Sequence, residues 1–430
     1  MTNSKKIIRG HGGGQPDAPP APYRAPDTLH SRSFATVQDL ISEGEIEGFA
    51  TPSKAEITDR TSTAYQNASL KDVFLDDTPV LQANASNSSP NETDFNFKDV
   101  TFKSEFGTAN QSAMSGIPAE SRSPTGVGVN VVNTDGTDSQ AIVGSVTRRV
   151  NNTDVDAIIV TLTWPQIQVL EDDGDIRGDT VAYRIQVQYN NGGFTDVVTS
   201  SVEGRTADAY ARDHRITVTG AFPVDVRVLR DTIDSSTTER INGFQFTSLQ
   251  EVIDNKSTYP NSAYTALRLD SKQFNRIPRR TFKIRGIKVR IPGAGASGTG
   301  TPTVDMQTGR IQYPDGYIFN GVMGAATYTN CPAMCLLDLL TNTRYGFGDH
   351  ITDSNLDLFS FVAASKYSNE LVDDGSGAGT KEARFSCNVN IQDPKEAFDA
   401  INELSGVMRC MPIWSAGSVT ISQDKEVTPS

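Results

Sequence analysis

The stretches "DAIIVTLTWP", Asp156 to Pro165, and "VAYRIQVQYNNGGF", Val181 to Phe194, decide how the middle of this chain folds. In the first, Ile158, Val160, Leu162 and Trp164 occupy alternate positions; in the second, Val181, Tyr183, Ile185, Val187 and Tyr189 do the same. A period of two places each set on one face of a strand. Asn190, Asn191, Gly192 and Gly193 follow, residues that tolerate positive φ and so suit a tight reversal. "HRITVTG" and "FPVDVRVLR" add two more strands at the spacing of a sandwich. The expectation is an inserted β-sandwich over residues 113–232.

Working toward the N-terminus, residues 1–29 are rich in Gly, Pro and Ala without apolar periodicity, which predicts a flexible leader. Its "GHGGG" is spelled like an oxyanion loop, but such a loop needs a G-x-S-x-G elbow, and the chain has none. In "SFATVQDLISEGEIEGF" the spacing of Phe34, Val37, Leu40 and Ile41 predicts one helical face, stopped at Gly44. That helix would deliver a turn carrying Glu43, Glu45 and Glu47, with Gly44 and Gly48 taking backbone angles other residues resist. "KDVFLDDTPV" reads as a strand entering a tight turn, and "DFNFKDVTFKSEFG" continues the short-strand character.

Toward the C-terminus, "FTSLQEVIDNKSTYPNSAYTALRLDSKQF" predicts alternating helix and strand. A basic strand follows, in which Phe282 and Ile284 alternate on even positions and Ile287, Val289 and Ile291 on odd ones, so a bulge is expected at Gly286. Residues 30–112 and 233–292 thus form a discontinuous first domain, and 293–330, with "GAGASGTGTPT", a loop-rich connection. Residues 331–430 read as an α+β unit. Pro332 opens one helix there, with Cys331 and Cys335 as a packed pair. Asp393, Pro394 and Glu396 cap another at N-cap, N1 and N3, and Phe398, Ile401, Leu404 and Met408 form its buried stripe. "CMPIWSAGSVTISQD" closes as a hairpin. The fold class is α+β, β-rich and multidomain.

At 430 residues the chain is long enough for roughly three domains of about 150 residues each. No run approaches the roughly 18 to 20 apolar residues of a membrane span, and the charged N-terminus lacks the apolar core of a signal peptide, so synthesis in a cytoplasm is expected. Four cysteines are too few for a disulfide framework and are expected reduced. A net charge of −13 argues against a general nucleic-acid binder. The charge is uneven: Arg268 to Arg290 holds nine Lys or Arg against Asp270 alone, while Phe34 to Asn110 holds thirteen acidic and five basic residues. Opposed stretches of this kind suit a subunit contact. Arg279, Arg280, Lys283 and Arg285 are the candidate basic side, and Glu43, Glu45 and Glu47 the candidate acidic side. The basic strand is equally compatible with contact to another macromolecule, or with a solvated face.

Catalytic and cofactor chemistry has little support. His11, His30, His214 and His350 stand apart from one another and from any Cys or Asp motif, and there is no P-loop, dinucleotide fingerprint or H-E-x-x-H. "LEDDGDIRGD" lacks the spacing and distal Glu of a calcium loop. No catalytic residue, cofactor or metal site is assigned. The rival reading is a cell-envelope hydrolase using two of the "SEGEIEG" carboxylates, which would require burial to raise one pKa.

Taken in order, "DLISEGEIEGF", "VFLDDTPV", "YPNSAYTALRLDSKQF", "LLTNTRYGFGDHI" and "ELSGVMRCMPIW" resemble the N-terminal hub of the lambda-type phage tail tip attachment proteins, also called host specificity protein J. The resemblance runs from about Asp27 to the end. It implies a structural virion protein at the distal tip of a long non-contractile tail, not an enzyme, with three copies forming a hub that closes the tail tube. Implied partners are further copies of the chain, adjacent distal tail proteins, the tape-measure protein and, transiently, phage DNA in the lumen. A host receptor would be met through a C-terminal fibre that this sequence does not contain. A ring of three requires heterologous contacts, each joining two different patches.

Overall fold

The alternating stretches at the middle of the chain build two sheets around one core. The computed structural model describes residues 22–31, 34–114, 117–235, 237–254, 256–270, 272–392, 396–415 and 417–425. The chain divides into two units, Met1–Arg32 with Pro118–Asn255 and Ser33–Ile117 with Lys256–Ser430.

In the first unit, strands Thr195–Gly204, Asp179–Tyr189, Val224–Arg230 and Val146–Val150 form one sheet in that order. Strands Tyr210–Thr217, Ala157–Trp164 and Phe244–Asp254 lead the other, with Pro118–Ser121 and Thr125–Val131 both pairing with Phe244–Asp254. The period-two residues point inward: Ile158, Val160, Leu162, Trp164, Val181, Tyr183, Ile185 and Val187 all belong to the shared core. Trp164 lies over Phe244 with ring centroids 5.0 Å apart. Asn190 and Asn191 take positive φ, 47° and 55°, at the reversal before Thr195–Gly204. The sandwich extends past residue 232, because Phe244–Asp254 is a central strand that contributes Phe244, Phe246 and Leu249 to the core.

Residues 22–29 depart from the flexible leader expected for residues 1–29. Residues 1–21 lie outside the described residues, but Ala25 N–H donates to the Ile176 carbonyl at 2.8 Å and Thr28 N–H to that of Arg205 at 3.0 Å. Arg205, almost fully buried, donates to the Ala25 carbonyl and pairs with Asp27. Composition cannot reveal this ordering, since partners on distant strands supply it.

The second unit carries three three-stranded sheets. The first orders Phe34–Glu43, Ser262–Asp270 and Thr101–Phe106. Phe34–Glu43 is therefore a strand and not the expected helix. Its inward positions are Val37, Asp39 and Ile41, and the polar Asp39 among them breaks the visible alternation. Asp39 is tolerated there because Arg280, distant in sequence, donates to both its oxygens at 2.6 and 2.7 Å. The expected helix-strand alternation over residues 246–274 is likewise replaced, by strands Phe244–Asp254 and Ser262–Asp270.

The second sheet orders Arg280–Phe282, Val73–Leu75 and Thr78–Pro79, with Asp76 and Asp77 in the expected tight turn at positive φ. The third orders Ile46–Phe49, Ile284–Pro292 and Met323–Tyr328. No bulge occurs at Gly286: the register with Ile46–Phe49 is continuous from Ile284 to Ile287. The apolar phase changes between Ile284 and Ile287 because the inward position between them is taken by Arg285, whose buried guanidinium does not read as a core residue. An irregularity does occur between Arg290 and Pro292, opposite Met323–Tyr328.

Helices Pro332–Thr341, Leu358–Ser368 and Ala397–Val407 follow, then the hairpin of Cys410–Ser415 with Ser418–Gln423. Pro332 opens its helix at the first turn, as expected. Asp393 and Pro394 lie outside the described residues, and the observed N-cap of the last helix is Glu396. Of its predicted stripe, Leu404 and Met408 are buried, whereas Phe398 is 72% exposed.

His214 packs edge-on against Tyr183 in the first unit, and their Nε2 and Oη lie 2.8 Å apart. Burial, reinforced by the Arg212 charge and opposed by Asp213, pulls its pKa from 6.5 to about 4. The unfolded chain therefore takes up a proton that the folded one refuses as pH falls from 6.5 toward 4, and stability declines across that window. On going from pH 7 to pH 5, the His214→Gln variant is expected to escape about 1 to 2 kcal/mol of the loss seen in the parent. Urea unfolding of both proteins at the two pH values checks this; equal losses would refute it.

Candidate functional site

The two charged blocks singled out in the sequence meet within one chain. Ile46–Phe49 pairs antiparallel with Ile284–Pro292, so the "SEGEIEG" segment runs directly against the basic strand. The Lys288 amide donates to the Glu45 carbonyl at 2.8 Å, and Lys288 Nζ reaches Glu45 Oε1 at 2.6 Å and Glu47 Oε2 at 3.9 Å. Glu43 is held instead by Arg344, whose Nε donates to it at 2.6 Å while Nη2 donates to Ser262 Oγ at 2.9 Å. All three glutamates of the segment thus have a cation within the same chain.

The candidate basic residues divide by burial. Arg285 is 3% exposed, and its guanidinium donates to the carbonyls of Phe49 at 3.0 Å, Pro52 at 2.8 Å and Met306 at 3.0 Å. It is an internal fastener, so its expected role against a neighbouring chain is withdrawn: a side chain enclosed by three carbonyls has no surface to offer. Arg280 is half-buried on Asp39, and that hydrogen bond raises its pKa. Arg279 is exposed and pairs with Asp77, its amide donating to Asp76 Oδ1 at 2.9 Å. Lys283 is exposed. Arg290 reaches Asp353 through both terminal nitrogens at 2.7 Å, binding the strand to the helical part of the unit.

Gly44 and Gly48 adopt φ of 134° and 130°, a region that side chains resist. A Cβ on Gly44 would stand 3.1 Å from Tyr345 Cε1, and one on Gly48 2.9 Å from Tyr65 Oη. Tyr345 also donates its hydroxyl to Asp338, whose carboxyl burial pushes up despite that hydrogen bond. "ISEGEIEG", "YPNSAY" and "NTRYGFG" therefore converge at Glu43, Gly44, Ser262, Arg344 and Tyr345. Sequence reading missed Arg344, Tyr345 and Asp338 as partners of the acidic segment. The only available signal was that "NTRYGFG" is itself one of the distinctive blocks.

A cleft of about 430 Å³ opens beside this sheet, with walls that include Ile57, Ile291, Met306 and Thr327. Its charged lining residues are Glu47 and Lys54. It thus presents a single carboxylate and not the opposed pair that a glycosidase uses. Among the described residues no group of three or more His, Cys, Asp or Glu is arranged to hold a metal ion, and no helix is long and apolar enough to cross a membrane.

Residues 122–255 match the family model for the FNIII-A domain of tip attachment protein J. Beyond that domain, the chain is 29% identical over 426 residues to tip attachment protein J of Escherichia phage SECphi4, covering 98% of this chain and 33% of the relative. This chain is similar to tip attachment protein J along almost its whole length. It is also 28% identical over 429 residues to tip attachment protein J of Escherichia phage SECphi27, covering 99% of this chain and 32% of the relative. The chain therefore spans about a third of the length of the J proteins it matches. The J FNIII-A match falls within the sandwich unit, including its late strand Phe244–Asp254. Among solved structures, a family GH115 4-O-methyl-alpha-glucuronidase aligns at 11% identity over 35% of this chain and 19% of its own, with a TM-score of 0.17, too low to bear on the fold.

Arg285→Met is expected to cost about 3 kcal/mol or more, because it orphans three buried carbonyls. Glu45→Gln is expected to cost less than about 1 kcal/mol, since its ion pair is partly exposed. Gly48→Ala should also destabilise measurably, through both its φ and the approach of Tyr65. Urea titrations of the three variants rank them, and a Glu45→Gln cost equal to that of Arg285→Met would contradict the assignment.

Proposed function

We propose that this chain is the hub portion of a phage tail tip attachment protein: a structural component of the virion located at the distal end of the tail. Three copies surround a central passage, close the tail tube and support attachment and DNA ejection, while receptor contact lies in parts of the protein outside this sequence. The observation that carries this reading is the similarity to tip attachment protein J over 98% of the chain. Expected neighbours are further copies, adjacent distal tail proteins and the tape-measure protein, with phage DNA passing transiently.

The intrachain pairing of the acidic segment favours architecture over hydrolysis. Glu43 and Glu45 are each engaged by a cation at 2.6 Å, which leaves them as fasteners and not as an acid and base facing a substrate. Of the candidate interface residues, Arg279 and Lys283 remain the exposed cations, with Glu43 half-exposed on the acidic side. These are the groups proposed to meet neighbouring subunits. Arg280, Glu45 and Glu47 support them from within through their bonds inside the chain.

The double variant Arg279→Glu, Lys283→Glu is expected to keep the thermal midpoint of the isolated protein within a few degrees, because an exposed pair such as Arg279 with Asp77 contributes little. It is expected to abolish complete tails in an infected-cell complementation assay. Normal particle yield would remove these residues from the interface. Gold labelling of an N-terminal tag should mark the distal tip of wild-type particles, and label elsewhere on the virion would overturn the location.

A further inference from the structure

Two surfaces of the second unit are open, and their chemistry is complementary. The first is the cleft beside strand Met323–Tyr328. That strand stands at the end of its three-stranded sheet, so its outer edge has no strand partner among the described residues. Gly324, Ala325 and Thr327 of the strand line the cleft, and side chains this small leave the backbone approachable. The apolar walls include Ile57, Ile291, Val304 and Met306. Of the two charged lining residues, Glu47 already faces Lys288 at 3.9 Å. Lys54 is exposed and makes no ion pair among the described residues.

The second surface is a hairpin. Strands Leu371–Asp373 and Lys381–Ala383 follow helix Leu358–Ser368 and pair only with each other, so their outer edges are open as well. Every residue from Leu371 to Glu382 is exposed except Val372. Leu371 and Asp373 lie two positions apart and so share one face of their strand. Leu371 is 48% exposed. The Asp373 carboxylate accepts the Gly375 amide at 2.8 Å and meets no cation among the described residues. Asp374, by contrast, is engaged inside the turn, where it accepts from the Thr380 hydroxyl and the Ser376 amide.

We propose that this hairpin seats in the cleft of a second copy of the chain, with Leu371 against the apolar walls and Asp373 on Lys54. An aliphatic side chain left in water is joined to a carboxylate that lacks a cation, and the cleft offers apolar walls with a cation that lacks a carboxylate. Backbone hydrogen bonds between Leu371–Asp373 and the open edge of Met323–Tyr328 extend the neighbour's sheet by one strand. Burial of Leu371 and strand addition supply the affinity, and the ion pair fixes the register. The contact joins two different patches, as a closed ring of copies requires. It rests on the hub reading only for the presence of neighbouring copies.

The test treats the full chain with a carbodiimide, which joins an amine to a carboxylate in direct contact, then separates the products by denaturing electrophoresis and maps each by mass spectrometry. The expected result is an oligomer in sedimentation and a Lys54–Asp373 linked peptide in the covalent dimer and higher bands, but not in the monomer band. Lys54→Glu and Asp373→Lys each bring like charges together, and each should lose that linked peptide and weaken association by about tenfold or more. Both residues are exposed, so neither reversal disturbs the fold. The double variant Lys54→Glu, Asp373→Lys should recover both the oligomer and the link between the two positions. A monomer in sedimentation, a linked peptide confined to the monomer band, or a double variant that stays dissociated would each overturn the proposal. An oligomer unmoved by either single reversal would overturn it and leave the hub reading standing, whereas gold label away from the tail tip would overturn the hub reading alone.

Discussion

The antiparallel strand Ile284–Pro292, held between Ile46–Phe49 and Met323–Tyr328, is the constraint on which the second unit depends. Its basic side chains fasten in different directions. Arg285 is enclosed by three backbone carbonyls, Lys288 reaches Glu45, and Arg290 takes Asp353. Ile287 on the same strand packs against the two larger hydrophobic clusters of the unit. A strand whose charges are all satisfied can lie inside a protein, and this one does so while connecting two cores. Burial of a guanidinium is costly unless its donors find acceptors, and the carbonyls of Phe49, Pro52 and Met306 accept from Nε and Nη1.

The same accounting explains how an acidic protein tolerates so basic a stretch. Opposite charges separated by more than 200 residues are brought together by the tertiary fold: Asp39 with Arg280, Asp77 with Arg279, Glu45 with Lys288 and, across a still longer separation, Glu43 with Arg344. Segments that look like complementary surfaces for two different molecules are, to a large extent, complementary surfaces within one. Assembly is left to the residues that this internal pairing does not enclose. The first unit solves its own version of the problem: Arg230, fully buried, is satisfied by Asn242, Thr232 and Asp234, and Asn242 in turn donates to Asp179.

Much of the architecture was legible in the residues. Strict alternation located the sandwich strands Ala157–Trp164 and Asp179–Tyr189, Asn190 and Asn191 marked their turn chemistry, and Pro332 marked a helix start. Legibility failed where a polar residue occupies an inward position. Asp39 made a strand look helical, because the pattern of hydrophobic residues carries no information about a partner such as Arg280. It failed again at Gly286, where a change of apolar phase suggested a bulge but reflected the buried Arg285 at an inward position of a strand whose register is unbroken.

What the sequence determined by itself is local: the period of each strand, the residues able to turn at positive φ, the distinctive blocks that mark a likeness to tip attachment protein J, and an excess of opposite charges in two regions. What only the tertiary structure decided is which groups those charges face. Gly44 and Gly48 were readable as turn residues, but not the Tyr345 and Tyr65 rings that limit the space beside them. Arg285 was readable as a cation, but not as a buried one. The physical reason is common to both. Conformational preference is set within a few residues of chain, whereas burial and ion pairing are set by segments that meet after long separations, and only the tertiary fold brings Glu43 to Arg344.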